Sequence, residues 1–185
     1  MVAIRDKSGT SRFERDPLGR LGKYVSSIGK ELGYEYDPWG RVISLTVSGG
    51  SQVRYGHDIF GRLTSVNDGY GLTTYAYRER EVERRLPNGV QTIYSFSPEG
   101  HLTSIVHQKA NDSLLCSFGY VYRADGKLLE TNEETSAGRT TQRYEYDLLG
   151  RLASVQRSDG SRIFYAYDSM GNRISETTDG HIVFL

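Results

Sequence analysis

The chain has one cysteine among its 185 residues. Cys116 alone excludes an intrachain disulfide and a cysteine-based zinc site. Its setting, Leu114-Leu115-Cys116-Ser117-Phe118, reads as a half-buried strand, in keeping with the burial habit of free cysteine. No apolar run reaches the roughly 18 residues of a membrane-spanning helix. The first residues, Met1-Val2-Ala3-Ile4-Arg5-Asp6, lack the apolar stretch of a signal peptide. There is no excess of either charge: Lys+Arg and Asp+Glu both total 23. That argues against nucleic acid as the main partner, because phosphate binding wants a basic surplus. Hydrophobic residues are scarce at 37%.

Several chemical signatures are missing too. His57, His101, His107 and His181 show no His-x-His or His-x3-His spacing for a metal. There is no Gly-x-Ser-x-Gly elbow and no Gly-x4-Gly-Lys phosphate loop. The expectation is therefore no cofactor, no metal and no enzyme. Asn111-Asp112-Ser113 matches a glycosylation sequon, which has meaning only in a eukaryotic secretory setting.

Glycine and tyrosine are plentiful instead, 21 and 14 residues. They suit a flat β architecture, and they recur in a pattern. Tyr34-Glu35-Tyr36-Asp37-Pro38-Trp39-Gly40-Arg41-Val42 is followed by Tyr55-Gly56-His57-Asp58-Ile59-Phe60-Gly61-Arg62-Leu63. Tyr144-Glu145-Tyr146-Asp147-Leu148-Leu149-Gly150-Arg151-Leu152 and Tyr165-Ala166-Tyr167-Asp168-Ser169-Met170-Gly171-Asn172-Arg173 repeat it. Weaker copies turn at positions 19, 100 and 126, and Tyr75-Ala76-Tyr77 opens another in which Glu81 stands in the glycine position. The turns then fall at 19, 40, 61, 81, 100, 126, 150 and 171, in steps of 19 to 26 residues. The two long steps hold Gln108-Lys109-Ala110-Asn111-Asp112 and Thr135-Ser136-Ala137-Gly138, read as polar loop extensions.

One copy dictates its own shape. Tyr-x-Tyr puts both rings on one face of a strand, since side chains alternate with period two. Asp-x-x-Gly supplies a turn: the carboxylate accepts a backbone N–H two residues on, and glycine takes positive φ without a steric clash. A type I turn followed by a bulge results. The Arg-Leu segment after it returns as a strand. Second turns, such as Ser48-Gly49-Gly50, Asn67-Asp68-Gly69, Ser158-Asp159-Gly160 and Thr178-Asp179-Gly180, join one copy to the next. The reading is an all-β, curved antiparallel meander of about sixteen strands with essentially no helix.

These copies resemble the YD repeat of the Rhs family, which includes bacterial Rhs and wall-associated proteins, insecticidal toxin-complex subunits and animal teneurins. The resemblance covers roughly residues 11 to 178 of a single domain, 1–185. It implies a sheet that spirals into a shell around a toxic C-terminal domain, or that supports adhesion modules. It also implies a secreted or cell-surface setting, with other YD-repeat segments or a toxin or effector domain as partners. Asp16-Pro17-Leu18-Gly19 and Asp37-Pro38-Trp39-Gly40 look like the Asp-Pro element of Rhs autoproteases. Both are in register with the repeat and are read as turns. The autoprotease core and a toxin domain are expected to be absent.

Asp37, Asp58, Asp147 and Asp168, with Gly40, Gly61, Gly150 and Gly171, are thus read as turn formers. The arginines after the glycines are expected to pair with Asp or Glu of a neighbouring hairpin, or to form a ladder for an anionic polysaccharide. Twelve tyrosines occupy ring positions of copies. Cross-strand stacking explains them. Tyr34, Tyr36, Tyr75, Tyr77, Tyr144, Tyr146, Tyr165 and Tyr167 also suit a carbohydrate platform, because amphipathic rings fit sugar faces.

Overall fold

The computed structural model describes residues 2–7, 9–178 and 180–184. Met1 and Asp179, on which the N-terminal and last-turn readings touch, lie outside the described residues. Eighteen strands and no helix occur among the described residues, so no helix is long and apolar enough to cross a membrane. The chain divides into two compact units: residues 1–76 with 84–89, and residues 77–83 with 90–185.

The first unit holds β1 (Val2–Asp6), β2 (Gly9–Arg15), β3 (Leu21–Val25) and β4 (Glu31–Tyr36). It continues through β5 (Val42–Val47), β6 (Gln52–His57), β7 (Leu63–Asn67) and most of β8 (Leu72–Tyr77). Each strand from β1 to β7 pairs antiparallel with the next. The boundary between the units falls within β9 (Glu81–Arg85).

The second unit carries β10 (Gln91–Phe96), β11 (Leu102–Gln108), β12 (Leu114–Tyr122) and β13 (Leu128–Thr135). β14 (Gly138–Tyr146), β15 (Leu152–Arg157), β16 (Arg162–Tyr167), β17 (Arg173–Thr178) and β18 (His181–Phe184) complete it. The same antiparallel order runs from β10 to β18.

The repeat frame accounts for the sixteen strands β2 to β17. β1 and β18 lie outside it. Val2-Ala3-Ile4 and Ile182-Val183-Phe184 are short apolar, β-branched runs that add themselves to β2 and β17 without any Tyr-Asp signal.

The long steps depart from the loop reading. Their extra residues continue the ladder, so β12 and β14 reach nine residues. Thr135 pairs with Gly138 across a two-residue turn. At the other long step Asp112 takes φ of 61°, the one non-glycine positive φ among the described residues. Its N–H closes the turn on the Lys109 carbonyl at 3.0 Å. Aspartate tolerates that region better than most residues, so it can occupy a glycine seat.

The Glu81 copy is different again. Arg78 N–H bonds the Glu81 carbonyl at 2.9 Å, leaving Glu79 and Arg80 as a two-residue turn. No seat for glycine remains, and the step is one residue shorter. The charges are reversed: Arg78 stands in the aspartate position and pairs with Glu81 at 3.5 Å and Glu83 at 3.6 Å.

Seven tyrosine-side hairpins carry a bulge on the strand that returns from the turn. Glu35 faces Ser44 but Tyr36 faces Val42, so Ile43 is extra on the returning strand. Thr64, Ala153 and Ile174 are the extra residues at three further hairpins. Bulges increase local right-handed twist.

The apolar core is thin. Among the described residues only Val155 and Ile163 are buried hydrophobics, at 5% and 7% exposure. Tyr34 faces Leu45, Tyr55 faces Val66 and Tyr144 faces Val155, so rings and aliphatic side chains share one side of the sheet. Ser44, Thr92 and Ser154 are buried polar groups. Ser44 and Ser154 lie on the side opposite these rings, one residue out of phase with Leu45 and Val155.

Candidate functional site

The Asp-x-x-Gly-Arg turn is the recurring chemical unit. Asp37 Oδ1 accepts the N–H groups of Trp39 and Arg41, both at 2.9 Å. Its Oδ2 accepts Arg41 Nε at 2.5 Å. Gly40 N–H donates to the Asp37 carbonyl at 3.0 Å, and Asp37 N–H to the Arg41 carbonyl at 2.9 Å. Gly40 has φ of 85°, which closes this three-residue loop. Asp58 with Gly61 and Arg62, and Asp147 with Gly150 and Arg151, repeat these bonds. Asp168 with Gly171 does so using Asn172 Nδ2 at 2.9 Å in place of a guanidinium.

These bonds set the acidity. At Asp37 and Asp58 burial works upward, but the bonds from the arginine N–H and guanidinium outweigh it and hold the carboxyl below its usual range. At Asp147 the Arg151 backbone N–H leads in the same downward direction. At Asp168 the Asn172 side chain leads. Each carboxylate is a fixed anionic acceptor within its own turn.

Arg20, Arg41 and Arg151 pair with the carboxylate of their own turn, where the sequence reading expected that of a neighbouring hairpin. The turn's own Oδ2 is four residues away and already oriented, so Nε binds there. The other end of the guanidinium still reaches the next copy. Arg20, Arg41 and Arg151 donate from Nη1 to the carbonyls of Asp37, Asp58 and Asp168, at 3.3, 2.9 and 3.3 Å.

A second tie runs the opposite way. The hydroxyls of Tyr36, Tyr146 and Tyr167 donate to the carbonyls of Leu21, Leu128 and Leu152, at 2.8, 2.9 and 2.8 Å. Each of these tyrosines is the second of its copy, and each carbonyl belongs to the copy before. The preceding cation lies over the same ring: Arg20 is 4.5 Å from Tyr36 and Arg151 is 4.6 Å from Tyr167. Burial, then Tyr144, pushes the Tyr146 phenol up, which keeps it a donor.

Tyr34, Tyr75, Tyr77, Tyr144 and Tyr165 are likewise half-buried. All eight platform tyrosines are therefore part-exposed, and Tyr36, Tyr146 and Tyr167 have committed their hydroxyls to backbone carbonyls. Sequence reasoning missed these ties. Their signal was present in the strict spacing of Arg, Leu and the second Tyr, but spacing names no carbonyl partner.

His57 occupies the second-tyrosine position of its copy. Its buried Nδ1 has no hydrogen-bond partner among the described residues. The Arg41 guanidinium lies over Trp39 instead, 5.0 Å away. In the second unit Glu145 Oε2 accepts Ser154 Oγ at 2.6 Å and Arg162 Nη2 at 2.5 Å. Ser154, then Arg162, lowers the Glu145 pKa. No group of three His, Cys, Asp or Glu able to hold a metal occurs among the described residues.

A helix-free meander whose successive hairpins are tied through guanidinium, phenol and main-chain carbonyls defines a structural repeat protein. The RHS Repeat family model matches residues 36–74, the segment from Tyr36 through the Asp37 and Asp58 turns. That segment accordingly carries an RHS repeat, and the copies outside it share its Tyr, Asp, Gly and Arg pattern. Among solved structures it superposes on "Crystal Structure of TcdB2-TccC3 without hypervariable C-terminal region" with a TM-score of 0.72 at 16% identity. That superposition covers 95% of this chain and 10% of the other, so the chain spans about a tenth of its structural relative. It superposes only loosely, with a TM-score of 0.48 at 15% identity, on the Photorhabdus luminescens Tc holotoxin pore, over 92% of this chain and 13% of that one. A porin-like protein from Bacteroides uniformis gives 0.42 at 11% identity, over 99% of this chain and 91% of that one. No curated protein matches the chain.

Proposed function

We propose that the chain is a non-enzymatic wall segment of an Rhs-type shell that encloses or displays a toxin or effector domain. The observation that carries this reading is the paired tie between copies, made on main-chain carbonyls in a protein with almost no apolar core. Such bonding suits a wall, whose strength lies along the sheet. The partners of such a wall segment are further YD-repeat segments or the cargo itself. The turn carboxylates support a non-catalytic reading, since each is saturated by its own hairpin and all share one environment, where acid–base pairs need contrasting ones. A secreted or cell-surface setting belongs to the same proposal, as does the reading of 1–185 as one repeat domain.

The test is co-expression with a candidate effector domain taken from its gene neighbourhood, followed by limited proteolysis. The effector is expected to co-purify and resist cleavage. Digestion at the rate of the free effector would sink the enclosing role. The carbohydrate platform has the half-exposed rings on one face in its favour. It requires glycan-array binding that Tyr34→Ala and Tyr144→Ala abolish while the circular dichroism stays unchanged.

A further inference from the structure

Three junctions between copies place a cation over the second tyrosine of the following copy. Arg20 lies 4.5 Å from the Tyr36 ring, Lys127 5.5 Å from Tyr146 and Arg151 4.6 Å from Tyr167. Arginine and lysine side chains stay charged through neutral pH. The copy that turns at Gly100 departs from this. His101 follows the glycine, in the arginine position. Its ring stacks on that of Tyr122, with centroids 4.9 Å apart and planes at 24°. The seat is the same one. A Cβ at Gly126 would lie 3.5 Å from His101 Cε1, as one at Gly40 would lie 3.9 Å from Arg20 Nη1.

The imidazole is held differently from the arginines. Ser97 stands in the aspartate position, so this turn has no carboxylate four residues before the ring. Ser97 Oγ accepts the His101 backbone N–H at 3.3 Å. Imidazole is the side chain that ordinarily changes charge near neutrality. A neutral ring offers Tyr122 stacking alone. An imidazolium within about 6 Å of the ring adds the cation–π attraction that Arg20 and Arg151 supply at their own junctions.

The charges around the ring leave room for one more cation. Glu99, in the same turn, is an anion: Ser97, then the Glu99 backbone N–H, hold its carboxyl below the usual range, and His101 acts in the same direction. The cations nearby are matched. Asp125 pairs with Arg123 at 3.2 Å and with Lys127 at 3.8 Å, and Glu79 pairs with Arg80 at 3.8 Å. On β12, Tyr120 lines the same depression as His101. Burial, then Tyr122, pushes its phenol up, so it stays neutral.

We propose that His101 and Tyr122 form a pH-sensitive tie between two copies, tightened when the imidazole takes up a proton and relaxed above neutral pH. This does not depend on the shell reading, because it requires no cargo.

Native-state hydrogen exchange read by NMR at pH 6 and pH 8, corrected for the intrinsic rate at each pH, tests it. Amides that join β11 to β12, in the Ser104–Gly119 and Val106–Ser117 pairs, are expected to be about two- to fivefold better protected at pH 6, the range a surface cation–π contact supplies. His101→Phe keeps a ring on Tyr122 without a titrating group and is expected to show equal protection at both pH values. His101→Arg is expected to hold the stronger protection at pH 8 as well. A wild-type chain equally protected at both pH values overturns the proposal. So does a pH difference that persists in His101→Phe, which would assign it to another group, such as His107 on β11.

Discussion

At Gly40 the φ of 85° makes any Cβ unfavourable although space is available: the nearest atom, Arg20 Nη1, lies 3.9 Å from an ideal Cβ. Gly40→Ala is therefore expected to cost about 1–2 kcal/mol through backbone strain alone, read as a lower urea midpoint at unchanged m-value. The paired aspartate acts through charge. Its folded pKa lies below the usual 3.8, so the unfolded chain takes up a proton first as pH falls. The stabilisation is complete well above 3.8 and is lost as pH drops through that value toward the lower folded pKa. Thermal midpoints measured from pH 6 downward should hold steady and then decline below about pH 4. Asp37→Asn should flatten part of that decline. Tyr36→Phe removes the donor to the Leu21 carbonyl and is expected to cost about 1 kcal/mol, with the ring stack on Arg20 left in place.

The hairpin is the scale at which His57 matters. Its ring stands where five other copies place a tyrosine, and its buried Nδ1 lacks a partner among the described residues. His57→Tyr offers a hydroxyl to the carbonyl of Val42, the counterpart of Leu21, and a ring to Arg41. The variant should gain about 0.5–1.5 kcal/mol in equilibrium urea unfolding. A loss of stability would show that the position tolerates only the smaller ring. The hairpins themselves were legible in the sequence, because Tyr-x-Tyr, Asp and Gly each act on their own neighbourhood and need no distant partner. Where the local code changed, legibility failed. Glu81 closes a two-residue turn that the glycine-based alignment cannot represent, and Asp112 fills a glycine seat that composition assigns to a loop. The arginine bonds to the next copy were illegible for another reason. The acceptor is a carbonyl, which every residue possesses, so no letter marks it.

Across the molecule, strands within each unit pair with their immediate neighbours in sequence, so contacts are local despite the all-β class. Proteins stitched this way lose structure from weakly held elements inward. β18 is exposed along its whole length, whereas β15 and β16 hold the buried Val155 and Ile163. Hydrogen exchange should release the amides of β18 first and those of β15 and β16 last within the second unit. Uniform protection from β15 to β18 would contradict this.

The two ties between copies have one consequence for how such a chain can change over generations. Guanidinium and phenol are supplied by fixed positions, but both acceptors are main-chain carbonyls, present whatever side chain the residue bears. Any copy that bears both the arginine and the second tyrosine can therefore follow any other such copy. A duplication or deletion of one whole copy leaves every bond at the new junction available, and the two residues at each turn tip are free to diversify. Length and rim chemistry can evolve separately from the bonding that holds successive hairpins together.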